Sequence, residues 1–227
     1  MTSEEAESYI PLLAEELGFY PRQFVHKMKL ARVVLCGQLF HSQCAKPVVK
    51  LFPGRAKAVR SRISFQRGFD GGFADARNGV VYLMIGTYDF DHLRKSIHHE
   101  LYHCVQWRQF GTSGDREWSA LNSPDFAYGP GGSAALHGPD RTFWVLPGED
   151  WGHGFLNRYS MSAAEEDQAE IFAHLLTKPA QMEARASADE ILQKKIERMK
   201  ATLWQFCPEM DDAFWALVKE SRLPFDL

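Results

Sequence analysis

The chain has 227 residues, of which 45% are hydrophobic and 13% are aromatic, which is enough apolar material for one substantial core. The formal net charge is -3 and charges of both signs are interspersed, which argues against a nucleic-acid-binding protein. No apolar run approaches the roughly 18 residues of a transmembrane helix, so we expect neither nucleic acid nor membrane as a partner.

The N-terminus and the cysteines bear on the compartment. Residues 1–7 are acidic and lack the basic and then apolar profile of a signal peptide. The four cysteines, Cys36, Cys44, Cys104 and Cys207, are too sparse for a disulfide framework. We therefore expect free thiols and, by default, a cytoplasmic protein. A Cys36–Cys44 bridge, a removed leader and secretion by another route are the alternatives.

The first part of the chain is predicted to form two short helices and then strands. The helices fall within about residues 3–28. Runs typical of β-strands follow at residues 31–36, 47–52, 61–65 and 80–85. The pairs Gly71-Gly72 and Asn78-Gly79 mark turns before the last of these strands.

The next predicted element is a long helix that begins near Asp89 or Asp91 and ends near Gly111. Apolar residues recur along it at three- and four-residue spacing and predict its buried stripe: Leu93, Ile97, Leu101 and Cys104. Residues 111–160 have little periodicity but many aromatic side chains, which favours a packed, functional loop region.

Three further helices are predicted in the C-terminal part. The first follows an apparent capping box of Ser162 and Glu165 and ends before Pro179. The second follows a similar box of Ser187 and Glu190, and a short helix completes the chain. A small sheet followed by helices makes α+β the predicted fold class.

The long helix contains the sequence His99-Glu100-Leu101-Tyr102-His103, which indicates a metal site. Two histidines four residues apart lie one helical turn apart on the same face, so both imidazoles can reach one Zn²⁺ ion. Glu100 is adjacent to the first histidine, where its carboxylate can take a proton from a zinc-bound water. The alternative interpretation is a pair of surface histidines that bind no metal.

Two other histidines lie close to these motifs in the sequence. His98 and Tyr102 have the same spacing, but they point about 100° away from the face of His99. We expect His98 at the surface, beside a metal ligand or in contact with substrate. His153, in Trp151-Gly152-His153-Gly154, is expected to be a packed loop residue, with a role beside a ligand or substrate as the alternative.

A third protein ligand must come from elsewhere in the chain. Gln106 and Gln109 stand where a metzincin has its glycine and third histidine, so the metzincin pattern is absent. Asp115 is a weak candidate, because it follows His103 so closely that little chain is left to fold back onto the metal.

The better candidate is the acidic helix after the loop region. Glu166 and Glu170 share one face of it, and the small Ala169 and Ala173 allow another helix to approach closely. Two carboxylates on one face repel each other unless a positive group lies between them and a neighbouring helix. A solvated acidic face is the alternative, and Glu165 would be the ligand if the helix were rotated by one residue.

Motifs around these residues resemble a known family. They are Val81-Tyr82-Leu83, His98-His99-Glu100, Trp118-Ser119-Ala120-Leu121-Asn122 and Gly154-Phe155-Leu156-Asn157-Arg158-Tyr159. With the acidic helix downstream, this arrangement resembles the catalytic domain of anthrax lethal factor and its relatives. It is more similar still to a family of bacterial zinc-binding metallopeptidases. The resemblance covers about residues 70–176.

The resemblance implies a zincin-like fold of the gluzincin type with one zinc ion per chain. The zinc ligands that it implies are His99, His103 and Glu166. It further implies that Glu100 is the general base, that the Tyr159 hydroxyl stabilises the oxyanion, and that Glu170 orients a ligand histidine. Two histidines and one glutamate leave the fourth coordination position open for water, as a catalytic zinc requires.

We therefore expect a zinc-dependent endopeptidase that acts on a peptide or protein substrate. Residues 1–227 are expected to form one zincin-like domain. Its small mixed sheet and active-site helix would lie within residues 1–110, and the loop region and remaining helices within residues 111–227. The strand at residues 80–85 is expected to run beside the cleft and to pair with an extended peptide.

Two other functions stay open at this point. The first is another zinc hydrolase of the amidase or deformylase type, although Cys104 directly follows His103 and no deformylase-type cysteine segment is present. The second is a non-catalytic, zinc-stabilised binding module. Glu100 and Tyr159 argue against the module, because neither is needed to hold a structural metal.

Overall fold

The computed structural model describes residues 7–37, 40–41, 66–68, 71–86, 89–129, 131 and 153–222. The strands predicted at residues 47–52 and 61–65 lie outside this part of the chain, and so does Cys44. The other three cysteines, Cys36, Cys104 and Cys207, are free thiols.

The two predicted N-terminal helices are present. Helix α1 spans Ile10–Gly18 with a proline in its first turn, and helix α2 spans Arg22–Met28. Phe24 and Met28 of α2 are fully buried, so this helix anchors the N-terminal segment in the core.

A three-stranded sheet lies next in the chain and has the order β1-β5-β4. Strand β1 (Arg32–Cys36) pairs in parallel with β5 (Val80–Met84), and β4 (Gly72–Asp75) pairs with β5 in the antiparallel direction. The sheet is therefore mixed. A separate antiparallel pair is formed by β2 (Phe40–His41) and β3 (Gln66–Gly68).

The position of β5 corrects one expectation. This strand is the middle strand of the sheet, so both of its edges are already paired and it cannot add a substrate peptide. Strand β4 is at the edge instead, and within the described residues no strand pairs with its outer side.

The long helix α3 spans Phe90–Phe110, close to its predicted bounds. The Asp89 side chain caps it by accepting a hydrogen bond of 2.8 Å from the His92 backbone N–H. Gly111 ends it with a positive φ of 58°, a conformation that glycine adopts without steric cost. The four residues of the predicted apolar stripe are all buried.

Five more helices follow in the described part of the chain. They are α4 (Arg116–Ser119), α5 (Ala164–Thr177), α6 (Pro179–Ala186), α7 (Glu190–Phe206) and α8 (Asp212–Arg222). Short 3-10 turns at Gly111–Ser113 and Tyr159–Met161 precede α4 and α5.

Both predicted capping boxes are wrong. The N-cap of α5 is Ala163, which makes no side-chain cap, and Ser162 before it is fully buried. The N-cap of α7 is Asp189, whose carboxylate accepts from the backbone N–H groups of Ile191 and Leu192. An aspartate accepts at this position as well as a serine does, so the spacing from Ser187 selected the wrong cap.

Helix α3 packs against both the sheet and α5. Ala169 and Ala173 of α5 are fully buried, and the rings of Tyr102 and Phe172 lie with their centroids 4.9 Å apart. The predicted α+β class is thus confirmed. In the described residues no helix is both long enough and apolar enough to cross a membrane.

Candidate metal centre

Helices α3 and α5 bring three potential metal ligands together. His99 and His103 project from α3 toward Glu166 on the first turn of α5. The two Nε2 atoms are 3.3 Å apart. Glu166 Oε2 lies 3.1 Å from Nε2 of His99 and 3.5 Å from Nε2 of His103. These residues form a group that could hold a metal ion.

The three distances fit a zinc ligand set. A tetrahedral zinc ion with bonds of about 2.0–2.1 Å holds its donor atoms about 3.3 to 3.4 Å apart. Each observed separation agrees with this value to within a few tenths of an ångström. The side chains of His103 and Glu166 are 20% and 15% exposed, so both are partly accessible to solvent.

The surroundings of the histidines are electrostatically suited to a cation. Burial lowers the pKa of His99, but the carboxylates of Glu166 and Glu170 outweigh burial and raise the pKa to about 10. Burial raises the pKa of Glu166, but His103 and His99 outweigh it and hold the pKa well below its usual range. The carboxylates of the site therefore attract positive charge, which either protons on the histidines or a metal ion can supply.

Glu100 lies directly beside the ligands and is only 7% exposed. Burial raises its pKa, although the two neighbouring histidines partly offset this effect. Strand β4 packs closely against the Glu100 side chain, since a Cβ atom at Gly72 would lie 2.6 Å from Glu100 Cγ. A side chain at residue 72 would have to displace Glu100.

Tyr159 lies close to His99, in the 3-10 turn before α5. Its ring centroid is 5.9 Å from that of His99, and its hydroxyl is hydrogen-bonded to Glu166. Burial, followed by the charges of Glu166 and Glu100, raises the pKa of the phenol far above its usual range. Tyr159 is therefore a protonated hydrogen-bond donor at any physiological pH.

Glu170 contacts the other nitrogen of His99. Its Oε1 atom lies 3.0 Å from His99 Nδ1, and its Oε2 atom accepts from Lys95 Nζ at 3.1 Å. The Asn157 amide also donates to Oε2. Asn157 was not among the predicted site residues, although it lies within the segment 154–159 that carries the family resemblance.

Gln106 is a second residue that the sequence analysis missed. His103 Nδ1 lies 2.7 Å from Gln106 Oε1, so the imidazole N–H donates to the amide oxygen. The three-residue spacing predicts that the side chains of His103 and Gln106 lie close together on one helix. It does not predict that a glutamine at this position accepts a hydrogen bond from the histidine.

His98 does not lie in the site, which corrects the expected surface or ligand-supporting position. It is fully buried and contacts Tyr20 Oη through Nδ1 and Glu16 Oε2 through Nε2, the latter at 2.7 Å. His98 thus ties α3 to the N-terminal helices. His153 is exposed, so its expected packed position is wrong, and no described hydrogen bond or ion pair joins it to the candidate ligands.

The alternative ligands are also placed elsewhere. Glu165 is exposed and lies against Gly114, whose added Cβ would be 3.0 Å from the Glu165 carboxylate. Asp115 pairs with Arg198 and caps α4 through the Glu117 backbone N–H. Of the three candidate carboxylates, Glu166 is the one that meets both histidines.

Comparisons of the chain with protein-family models, with curated proteins and with solved structures found no match. What the site can do is therefore inferred from its own donors and acid–base groups. It offers three donor atoms for a divalent cation, a buried carboxylate beside them and a phenol that donates a hydrogen bond.

Proposed function

We propose that this protein is a zinc-dependent endopeptidase, with water as the nucleophile and Glu100 as the general base. The observation that carries the proposal is the presence of Glu100 and Tyr159 beside three donor atoms with zinc-like spacing. A site that only stabilised the fold would need neither residue, and it would use a fourth protein ligand.

His99, His103 and Glu166 would hold the zinc ion. When bound, zinc would act as a Lewis acid and would lower the pKa of a water molecule at the site to about 7. Glu170 supports this role because its negative carboxylate lies 3.0 Å from Nδ1 of His99, which favours the hydrogen on Nδ1 and leaves the lone pair of Nε2 for the metal.

Glu100 is suited to accept the proton of the attacking water. Burial raises its pKa, which makes the carboxylate a stronger base than an exposed glutamate. Once protonated, the same carboxyl group can deliver the proton to the leaving amine. This pair of transfers returns Glu100 to its starting state and completes peptide hydrolysis.

Tyr159 is suited to stabilise the oxyanion that forms when the carbonyl is attacked. Its raised pKa keeps the phenol protonated, and it already donates toward the negative carboxylate of Glu166. A donor that faces developing negative charge accelerates the reaction because it is oriented before the charge forms.

The edge strand β4 is suited to bind an extended substrate. Gly72 on this strand is in contact range of Glu100, so a peptide paired with the outer side of β4 would pass close to the general base. Recognition through backbone hydrogen bonds leaves the peptide extended on both sides of the cleaved bond. An endopeptidase requires this arrangement.

The proposal is tested by incubating the zinc-loaded protein with a diverse peptide library, beside a Glu100→Gln control, and reading the products by mass spectrometry. We expect internal cleavage by the wild type alone. If the wild type carries one zinc per chain and cleaves no peptide or protein, the peptidase assignment is wrong and another zinc hydrolase or a binding module is favoured.

A further inference from the structure

A chain of hydrogen bonds leads from His103 away from the metal centre. Beyond the His103–Gln106 contact, Gln106 Nε2 donates to Gln168 Oε1 at 2.7 Å. Gln168 Nε2 in turn lies 3.3 Å from Asp115 Oδ2. Arg198 closes the chain with two donations to Asp115, at 2.6 Å and 3.0 Å.

Every link in this chain has a fixed direction. An arginine only donates and a carboxylate only accepts, so Asp115 must receive the amide N–H of Gln168. The amide nitrogen of Gln106, Nε2, then donates to two acceptors, which are Gln168 Oε1 and the Glu165 backbone carbonyl at 2.9 Å. Its oxygen is left to face His103. The hydrogen of His103 is thereby kept on Nδ1, and the lone pair of Nε2 points at the metal position.

The middle residues of this hydrogen-bond chain are shielded from water. Gln106, Gln168 and Asp115 are 7%, 2% and 8% exposed, so solvent cannot easily replace a lost partner. The hydrogen-bond chain also joins four helices. Gln106 lies on α3, Gln168 on α5, Asp115 at the N-cap of α4 and Arg198 on α7. The packing of all four helices therefore determines where the Gln106 oxygen lies.

We propose that Gln106 is the positioning residue for His103, and that Gln168 and Asp115 hold it in the required orientation. The two histidines would then be oriented by different means. The Glu170 carboxylate contacts Nδ1 of His99 directly. The neutral amide of Gln106 contacts Nδ1 of His103, and its orientation depends, through Gln168, on the Asp115 carboxylate. This inference rests on the metal site of the proposed function, and it deepens that site.

The test measures zinc affinity by competition with a chromophoric chelator, in the absence of substrate. Replacing a partner of a metal ligand typically weakens metal binding about 10- to 100-fold, and we expect this loss for Gln106→Leu. Gln109→Leu is the matched control. Gln109 is on the same helix and donates to the Thr202 carbonyl, away from the ligands, so its loss should leave zinc affinity unchanged.

Two further variants separate positioning from simple packing. Gln106→Glu keeps an acceptor for His103 Nδ1 but loses the N–H groups that donate to Gln168 and to the Glu165 carbonyl, so it should lose clearly less zinc affinity than Gln106→Leu and perturb the visible spectrum of the Co²⁺-substituted protein less. Equal losses in Gln106→Glu and Gln106→Leu would overturn the inference. Gln168→Leu breaks the chain one link away from His103 and should cause a smaller loss, which keeps the test decisive if Gln106→Leu does not fold.

The failures of the two proposals are distinguishable. A wild-type protein that binds zinc but cleaves no peptide refutes the endopeptidase function and leaves the role of Gln106 standing. Conversely, if Gln106→Leu and Gln168→Leu bind zinc as tightly as Gln109→Leu does, the positioning role is refuted whatever the peptidase assay shows.

Discussion

At the scale of single residues, the site depends on groups whose chemistry the fold has altered. Burial raises the pKa of Glu100, which makes it a stronger base, and burial together with the charges of Glu166 and Glu100 raises the pKa of Tyr159. The sequence spacing predicts the candidate metal ligands, whereas the pKa shifts of Glu100 and Tyr159 follow only from the packing around these two side chains.

Tyr159→Phe tests the proposed oxyanion donor. Removing one such donor typically lowers kcat about 10²- to 10³-fold, and we expect a loss of this size with little change in KM. Zinc content should stay at one per chain, because the phenol is not among the ligand atoms. Steady-state kinetics and metal analysis of the same preparation check both points, and an unchanged kcat would remove Tyr159 from the mechanism.

Gly72→Ala tests the contact between β4 and the general base. Its Cβ would lie 2.6 Å from Glu100 Cγ, so the carboxylate must shift and peptidase activity should fall at least tenfold, since misplacement by about 1 Å can cost about 10²-fold. Gly18→Ala is the control, because no atom lies within 4 Å of its added Cβ. Equal activity in the two variants would contradict the close contact.

At the scale of elements, the first turn of α5 carries Glu166 and is fixed to α7 by a buried ion pair. Lys195 of α7 donates to Asp167 at 2.7 Å, and both side chains are fully buried. Trp118 and Tyr128 also donate to Asp167, at 2.9 Å and 2.6 Å. This cluster joins the loop region to α5 next to the candidate ligand.

Lys195→Met should therefore destabilise the protein strongly. It leaves the Asp167 carboxylate buried without its cation, and breaking a buried pair in this way costs about 3–5 kcal/mol of unfolding free energy. The exposed pair of Lys219 and Glu183 provides the control, and Lys219→Met should change stability little. Urea denaturation measures both variants, and equal midpoints would show that the buried pair does not stabilise α5.

The same elements show how far sequence patterns reach. The spacing of His99 and His103 and the face of α5 that carries Glu166 are local properties, so the sequence predicts them. Strand β4 is only four residues long and is held by antiparallel pairing with β5, so no local pattern identifies it. Gln106 and Asn157 were missed for the same reason, because their roles depend on residues of other elements.

At the scale of the whole molecule, a buried charge cluster joins the two ends of the described chain to helix α3. Arg222 of α8 pairs with Glu16 of α1, with one contact at 3.1 Å, and Glu16 also contacts His98 of α3 at 2.7 Å. Both Glu16 and His98 are fully buried. His98, which is next to the candidate ligand His99, is therefore held by helices at both ends of the described chain.

This cluster predicts a stability that depends on pH. Burial raises the pKa of Glu16, but His98 and Arg222 outweigh it and lower the pKa from 4.5 to about 2. A lowered pKa stabilises the fold above the unfolded value, and this stabilisation is lost as the pH falls from 4.5 toward 2. Glu16→Gln should flatten the fall in unfolding free energy over this range. Parallel curves for the two proteins would contradict the assignment.

The central claim is that Glu100 drives hydrolysis at a zinc-loaded site. The most direct measurement compares kcat/KM of the wild type and Glu100→Gln on the best-cleaved library peptide, with both proteins at one zinc per chain. We expect Glu100→Gln to lose about 10²- to 10⁴-fold, the usual contribution of a general base, while its zinc content stays unchanged. Equal rates for the two proteins at equal zinc content would contradict the proposed mechanism.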